Sequence, residues 1–186
     1  MKTGFRLSNG GARETYEVIP DISTYAKSLG NGVPVAAFGG KSEVMNVIGG
    51  GSVAHAGTFG GNGVSMSAAN AVLDILNEAP VLKELSIRGQ KLKKGMDNIL
   101  DEVGIPHQMC GHPNIQGFLI TEHKVEEVRD LAYSDDAMYE KIMDHMFDRG
   151  VWVENDPREP WFLCAAHTDE ILSLIHISEP TRHSAI

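Results

Sequence analysis

Thiols are scarce in this chain. Cys110 and Cys164 are the two cysteines among 186 residues, too few for a disulfide framework, so the expected setting is the reducing cytoplasm. Long apolar runs are missing as well. None approaches the ~20 residues that cross a bilayer, and the N-terminus carries no apolar segment of the secretory kind. Basic residues are outnumbered, 16 lysines and arginines against 25 acidic residues, for a formal charge of -9. That balance repels nucleic acid and anionic membranes, and neither is expected as a partner. What is there is a soluble globular composition, 42% hydrophobic and 22% charged. The length suits one ordinary domain, or part of a larger one with a small second domain.

Three stretches differ in character. Residues 1 to about 63 are dense in glycine and turn residues, which marks backbone that turns sharply or lies close to something. Within them Val33–Phe38 reads as a short buried strand ending at Gly39-Gly40. From Val64 to about Glu78, Met66, Ala69, Val72, Leu73 and Leu76 recur at helical spacing. After Pro80 a second helix runs to about Val103, with Leu82, Leu85, Leu92, Met96, Ile99 and Leu100 on its apolar side. Lys83, Glu84, Gln90, Lys91 and Lys94 make its solvated side, where Ile87 breaks the pattern. From Gly104 the pattern is α+β: a strand over 115–121, a helix over 135–149 capped by Gly150, and strands over 151–154 and 161–166. The expected division is 1–78, a connecting helix over 79–103, a small domain over 104–170 and a tail over 171–186.

Taken singly, the chemical residues are ambiguous. Lys27 follows a short apolar segment and precedes Ser28-Leu29-Gly30-Asn31-Gly32. A lysine held at such a junction can be shielded from water and become nucleophilic toward carbonyls; a plain surface lysine at a turn is the simpler reading of the residue alone. His55 to Gly63 opens the next helix, and a Thr58 hydroxyl with free backbone N–H groups there could hold a phosphate. The ending of a Walker loop and the frame of a dinucleotide fingerprint are both lacking. Arg6 suits a carboxylate, through bidentate binding or an ordinary ion pair. His107, Cys110 and His112 lack a clear fourth ligand, so no metal is expected. Met138, Met143 and Met146 read as helix core.

Taken in order, the motifs are specific. Thr3-Gly4-Phe5-Arg6, Gly10-Gly11-Ala12, Pro20-Asp21-Ile22, Ala26-Lys27-Ser28-Leu29-Gly30-Asn31-Gly32-Val33-Pro34, Phe38-Gly39-Gly40 and Ala56-Gly57-Thr58-Phe59-Gly60-Gly61-Asn62 resemble the class III pyridoxal-phosphate-dependent aminotransferases. Within these, the chain is similar to the glutamate-1-semialdehyde 2,1-aminomutase branch. The resemblance covers roughly residues 1 to 170 and implies an α/β fold of fold-type I, here as a partial large domain with an α+β C-terminal small domain. It implies pyridoxal 5'-phosphate as cofactor, bound as a Schiff base to Lys27, which also moves protons. Gly57 and Thr58 match the position that binds the cofactor phosphate of the neighbouring subunit, which implies a homodimer with shared active sites. Arg6 becomes a candidate contact for a small amino, keto or amino-aldehyde substrate. Ala166-His167-Thr168 resembles the end of the family's small-domain strand, near the substrate entrance.

Departures bear on activity. The family's aspartate that pairs with the pyridine nitrogen would lie just before residue 1, and the loop that cradles the phosphate in cis is not matched. Amino-group transfer is therefore expected to be incomplete in this chain alone. The alternatives are an inactive fragment or a non-enzymatic phosphate-ligand module built on the 57–63 loop. Leu172 to Arg182 resembles the conceptual translation of a transposon-based sequencing adapter. It is set aside from the fold reading and expected to lie loosely on the body.

Overall fold

Where glycines crowd, the backbone turns and the elements stay short. The computed structural model describes residues 1–49 and 51–178 and divides into two units, Met1–Lys83 and the part from Glu84 onward. In the first unit, α1 (Ala12–Thr15) and β1 (Ile22–Tyr25) precede a 3₁₀ turn, Lys27–Leu29; β2 (Ala37–Gly40), α2 (Ser42–Gly49) and α3 (Gly63–Glu78) follow. β1 and β2 pair antiparallel, with Ile22 opposite Gly40 and Tyr25 opposite Ala37. α3 starts where Asn62 accepts the backbone N–H of Ser65 at 3.1 Å, which satisfies one of the orphan donors of the first turn. Among the described residues of this unit, Leu7, Leu29 and Ala69 are the buried apolar side chains.

The strand expected over Val33–Phe38 is displaced to Ala37–Gly40, and it is mostly exposed rather than buried. Pro34 has no N–H to give a ladder, and its carbonyl accepts the buried Ser65 hydroxyl at 2.8 Å instead. Phe38 meets the His55 ring edge-on at 5.1 Å and stays 40% exposed.

The second unit has the thicker core. α4 (Val81–Val103) contributes Leu85, Leu92, Met96 and Leu100 from Glu84 onward. They meet a three-stranded antiparallel sheet in the order β3 (His107–His112), β4 (Ile115–Ile120), β5 (Trp161–Phe162). A 3₁₀ segment, Val128–Tyr133, leads into α5 (Asp136–Asp148), and α6 (Asp169–Ser178) comes last. Phe118 and Ile120 of β4 join Tyr139, Ile142, Met143 and Met146 of α5 in one cluster. Each such side chain contributes about 1.5–3 kcal/mol on burial. Asp135 caps α5 by accepting from the Met138 N–H at 3.0 Å, and Gly150 follows the helix at φ 82°, where a β-carbon would be strained. The polar side of α4 is solvated as read, and Ile87 lies on it 54% exposed.

Three elements differ from expectation. β3 carries His-Gln-Met-Cys-Gly-His, which has no apolar alternation to announce a strand; β4 holds it. No strand forms over 151–154, because the Val151 N–H turns back to the Met146 carbonyl at 3.0 Å and closes the helix end. β5 is two residues long, since the Cys164 N–H leaves the ladder for His167 Nδ1 at 3.1 Å. The loose packing expected of the run from Leu172 is corrected for its first turn: Leu172 and Ile175 of α6 are 5% and 7% exposed within the core cluster. Their apolar side chains fall on the inner face of the helix, while Leu174 is 50% exposed. Residues 179–186 lie outside the described residues.

Candidate active site

The lysine turn is assembled from pieces far apart in the first eighty residues. Ala26 is extended, and Lys27 then takes φ 56° at the head of the 3₁₀ turn, a left-handed conformation that costs a non-glycine residue about 1–2 kcal/mol. The Gly30 and Asn31 N–H groups both donate to the Lys27 carbonyl at 3.1 Å. Leu29 is buried beneath the turn, and α3 packs against it. The Ser28 hydroxyl donates to the Gly4 carbonyl at 2.7 Å, and the Phe5 and Tyr25 rings lie 5.4 Å apart. Gly4 is needed for this approach, since a β-carbon there would come 2.7 Å from the Tyr25 ring. So Thr3-Gly4-Phe5-Arg6, Gly11 and Lys27 are brought together. Arg6 is half-buried at the end of the first turn, and burial pulls its guanidinium pKa below the ordinary value.

The Lys27 side chain is exposed, and among the described residues its amine makes no hydrogen bond or ion pair. The shielding from water expected for it is not supplied by those residues. Lys41 differs: its amine pairs with Asp21 at 2.6 Å.

Gly57 and Thr58 sit on an open turn in which the Gly60 N–H donates to the Gly57 carbonyl at 2.9 Å. The whole stretch from Gly51 to Val64 is exposed, including Val53, Phe59 and Val64 at 49%, 67% and 71%. Among the described residues no hydrogen bond joins Thr58 to Lys27. In the second unit, His107 lies with Nδ1 2.9 Å from the Ile105 carbonyl and Nε2 3.0 Å from Asp97. His112 Nδ1 accepts the Asn114 N–H at 3.2 Å, and burial raises the Cys110 thiol pKa. Met143 and Met146 are core, with Met138 against it.

A family-wide sequence description, Aminotransferase class-III, matches residues 1–177. The chain belongs to the class-III aminotransferase family. It is 36% identical over 171 residues to the glutamate-1-semialdehyde 2,1-aminomutase of Aquifex aeolicus (strain VF5), covering 91% of this chain and 40% of that protein. The enzyme of that name from Thermus thermophilus is 35% identical over 172 residues, again 91% and 40%. A β-phenylalanine aminotransferase from Variovorax paradoxus superimposes with a TM-score of 0.80 at 24% identity, over 93% of this chain and 40% of that one. A glutamate-1-semialdehyde aminomutase from Pseudomonas aeruginosa PAO1 gives 0.77 at 16%, over 92% and 40%. The fold is that of the fold-type I transaminases, and the chain spans about 40% of the length of the relatives it matches.

Lys27, Arg6, Gly57 and Thr58 stand out in the sequence as candidates, whereas Ser28 does not. The signal available for Ser28 was a small hydroxyl residue beside a lysine in a segment otherwise made of glycine and apolar residues.

Proposed function

We propose that this chain carries the lysine of a pyridoxal-phosphate site, and that the protein containing it transfers amino groups. The transfer runs between an amino and a keto compound or, within one amino-aldehyde, between adjacent carbons. The observation that carries the reading is Lys27 itself: an exposed amine on left-handed backbone, at the head of a turn that the Thr3–Leu7 segment and α3 both support. The residues present fit the cofactor, because its covalent anchor is a free amine and Lys27 offers one that is exposed and without a partner among the described residues. When bound, pyridoxal phosphate supplies a carbonyl that links to amines and an electron-withdrawing ring that eases loss of a proton from the neighbouring carbon.

Lys27 Nζ then has two duties, holding the cofactor at rest and carrying a proton at that nitrogen during turnover. Gly57 and Thr58 offer a backbone N–H and a hydroxyl to a phosphate carrying close to two negative charges. Their exposure, with that of Val53, Phe59 and Val64, supports a homodimer in which they serve the partner's site. Arg6 is the candidate contact for a substrate carboxylate, which a guanidinium binds bidentately. No helix among the described residues is long and apolar enough to cross a membrane, and both cysteines are free, which supports a cytoplasmic setting.

The test uses the longest open reading frame that contains the chain. Purified with pyridoxal phosphate and reduced with borohydride, it should carry the cofactor mass on the Lys27 peptide. Lys27→Ala should abolish both label and turnover. Label on Lys41 would overturn the assignment.

A further inference from the structure

The lysine turn and the first turn of the chain are built alike. Each holds a non-glycine residue, Lys27 and Phe5, at φ 56°, which β-carbon sterics disfavour. Such residues persist where their neighbours over-determine them. The Phe5 and Tyr25 rings, 5.4 Å apart and tilted by 43°, bring the end of β1 against the first turn, and the Ser28 hydroxyl joins the two turns through the Gly4 carbonyl at 2.7 Å. The hydroxyl bond starts on the residue next to Lys27 and spans 24 positions of sequence. It therefore acts on the backbone that sets where the lysine side chain leaves the main chain. Gly11 buttresses its far end, because a β-carbon there would lie 2.8 Å from the Gly4 Cα.

We infer that Ser28 is a positioning residue for Lys27, its hydroxyl bond to the Gly4 carbonyl holding the left-handed lysine backbone and with it the departure direction of the amine. The inference rests on the reading of Lys27 as the cofactor lysine. Without the bond, Lys27 is free to relax toward right-handed or extended backbone, and its Cα–Cβ direction changes with it. The amine then reaches the cofactor carbonyl only in a fraction of conformers, which slows attachment without removing a cofactor contact.

Ser28→Ala, Ser28→Thr and Ser28→Val, made in the same reading frame, separate this from general stability. Valine and threonine match in shape and differ by the hydroxyl. The measurement is the rate at which pyridoxal phosphate attaches to Lys27, read by borohydride quench and peptide mass, beside the melting temperature of each apoprotein. The alanine and valine variants should attach about 10-fold more slowly, and threonine should stay within about two-fold of the parent. Valine leaves the Gly4 carbonyl without this donor and should melt below threonine, so the attachment rates are compared at a temperature where all four proteins are folded. Equal rates for threonine and valine, or parental rates for alanine, overturn the inference while leaving the Lys27 reading in place. If the parent itself fails to label at Lys27, the functional reading falls and this inference falls with it.

Discussion

The indole N–H of Trp161 donates to the Tyr139 hydroxyl at 3.0 Å, and that hydroxyl donates onward to the Glu154 carbonyl at 3.0 Å. Both rings are buried and both face Phe118. One hydroxyl thus satisfies two groups that connect α5, β5 and the loop between them. Tyr139→Phe keeps the ring and leaves both groups without this partner, so it should lower stability by about 1–3 kcal/mol. Urea unfolding of the variant beside the parent checks this.

Burial also pushes the Tyr139 pKa from its ordinary value of 10.0 up to about 12. The folded chain then holds this proton more tightly than the unfolded chain does. The stabilisation is therefore complete below about pH 10 and lost as pH rises toward about 12. Across that window the parent should lose about 2–3 kcal/mol more than Tyr139→Phe does. Parallel losses in the two proteins would assign the alkaline transition to other groups.

Gly89 lies inside α4, where exchanging glycine for alanine at an exposed site gains about 1 kcal/mol. Here the added β-carbon would sit 2.2 Å from the Pro113 carbonyl oxygen and 2.7 Å from its carbon. Backbone cannot step aside as a flexible side chain can. Gly89→Ala should instead destabilise by about 1–3 kcal/mol, seen as a lower melting temperature.

The two long helices were legible because their apolar periodicity is strong and Pro80 marks the break between them; Leu85, Leu92, Met96 and Leu100 line one face of α4. Lys27, Gly57 and Thr58 were legible as candidates through motif order, which is a property of the family rather than of any local pattern. β3 was not, because His107–His112 owes its conformation to the ladder with β4 and not to its own side chains. The packing of Leu172 and Ile175 was hidden for a related reason: a short apolar run shows no burial until a neighbour is there to cover it. Ser28 escaped notice because its bond partner is a backbone carbonyl 24 residues away, and a carbonyl leaves no trace in sequence.

Cys110 is half-buried with its thiol pKa raised by burial, whereas Cys164 is exposed. The thiolate is the reactive form. Iodoacetamide at neutral pH should therefore modify Cys164 first, with Cys110 slower by about 10-fold or more. Peptide mapping against time checks the order, and adding denaturant should bring the two rates together.

Thr58 gives the most direct test of a shared site. If its hydroxyl holds a cofactor phosphate, Thr58→Val removes one hydrogen bond to a charged group, worth about 1.5–3 kcal/mol, and the Kd for pyridoxal phosphate should rise about 10- to 100-fold. Thr58→Ser should keep parental affinity, and at saturating cofactor the borohydride label should stay on Lys27 in both. Whether the hydroxyl serves its own chain or the partner's is separable by mixing. In a dimer of one Lys27→Ala chain and one Thr58→Val chain, crossed sites restore one intact pair, Lys27 from one protomer and Thr58 from the other. Random reassortment should then recover about a quarter of parental high-affinity sites, although neither homodimer has any. Sites built within one protomer would recover none, because every site would keep one of the two lesions. Tight cofactor binding by the mixture, measured against each variant alone, decides between the two arrangements.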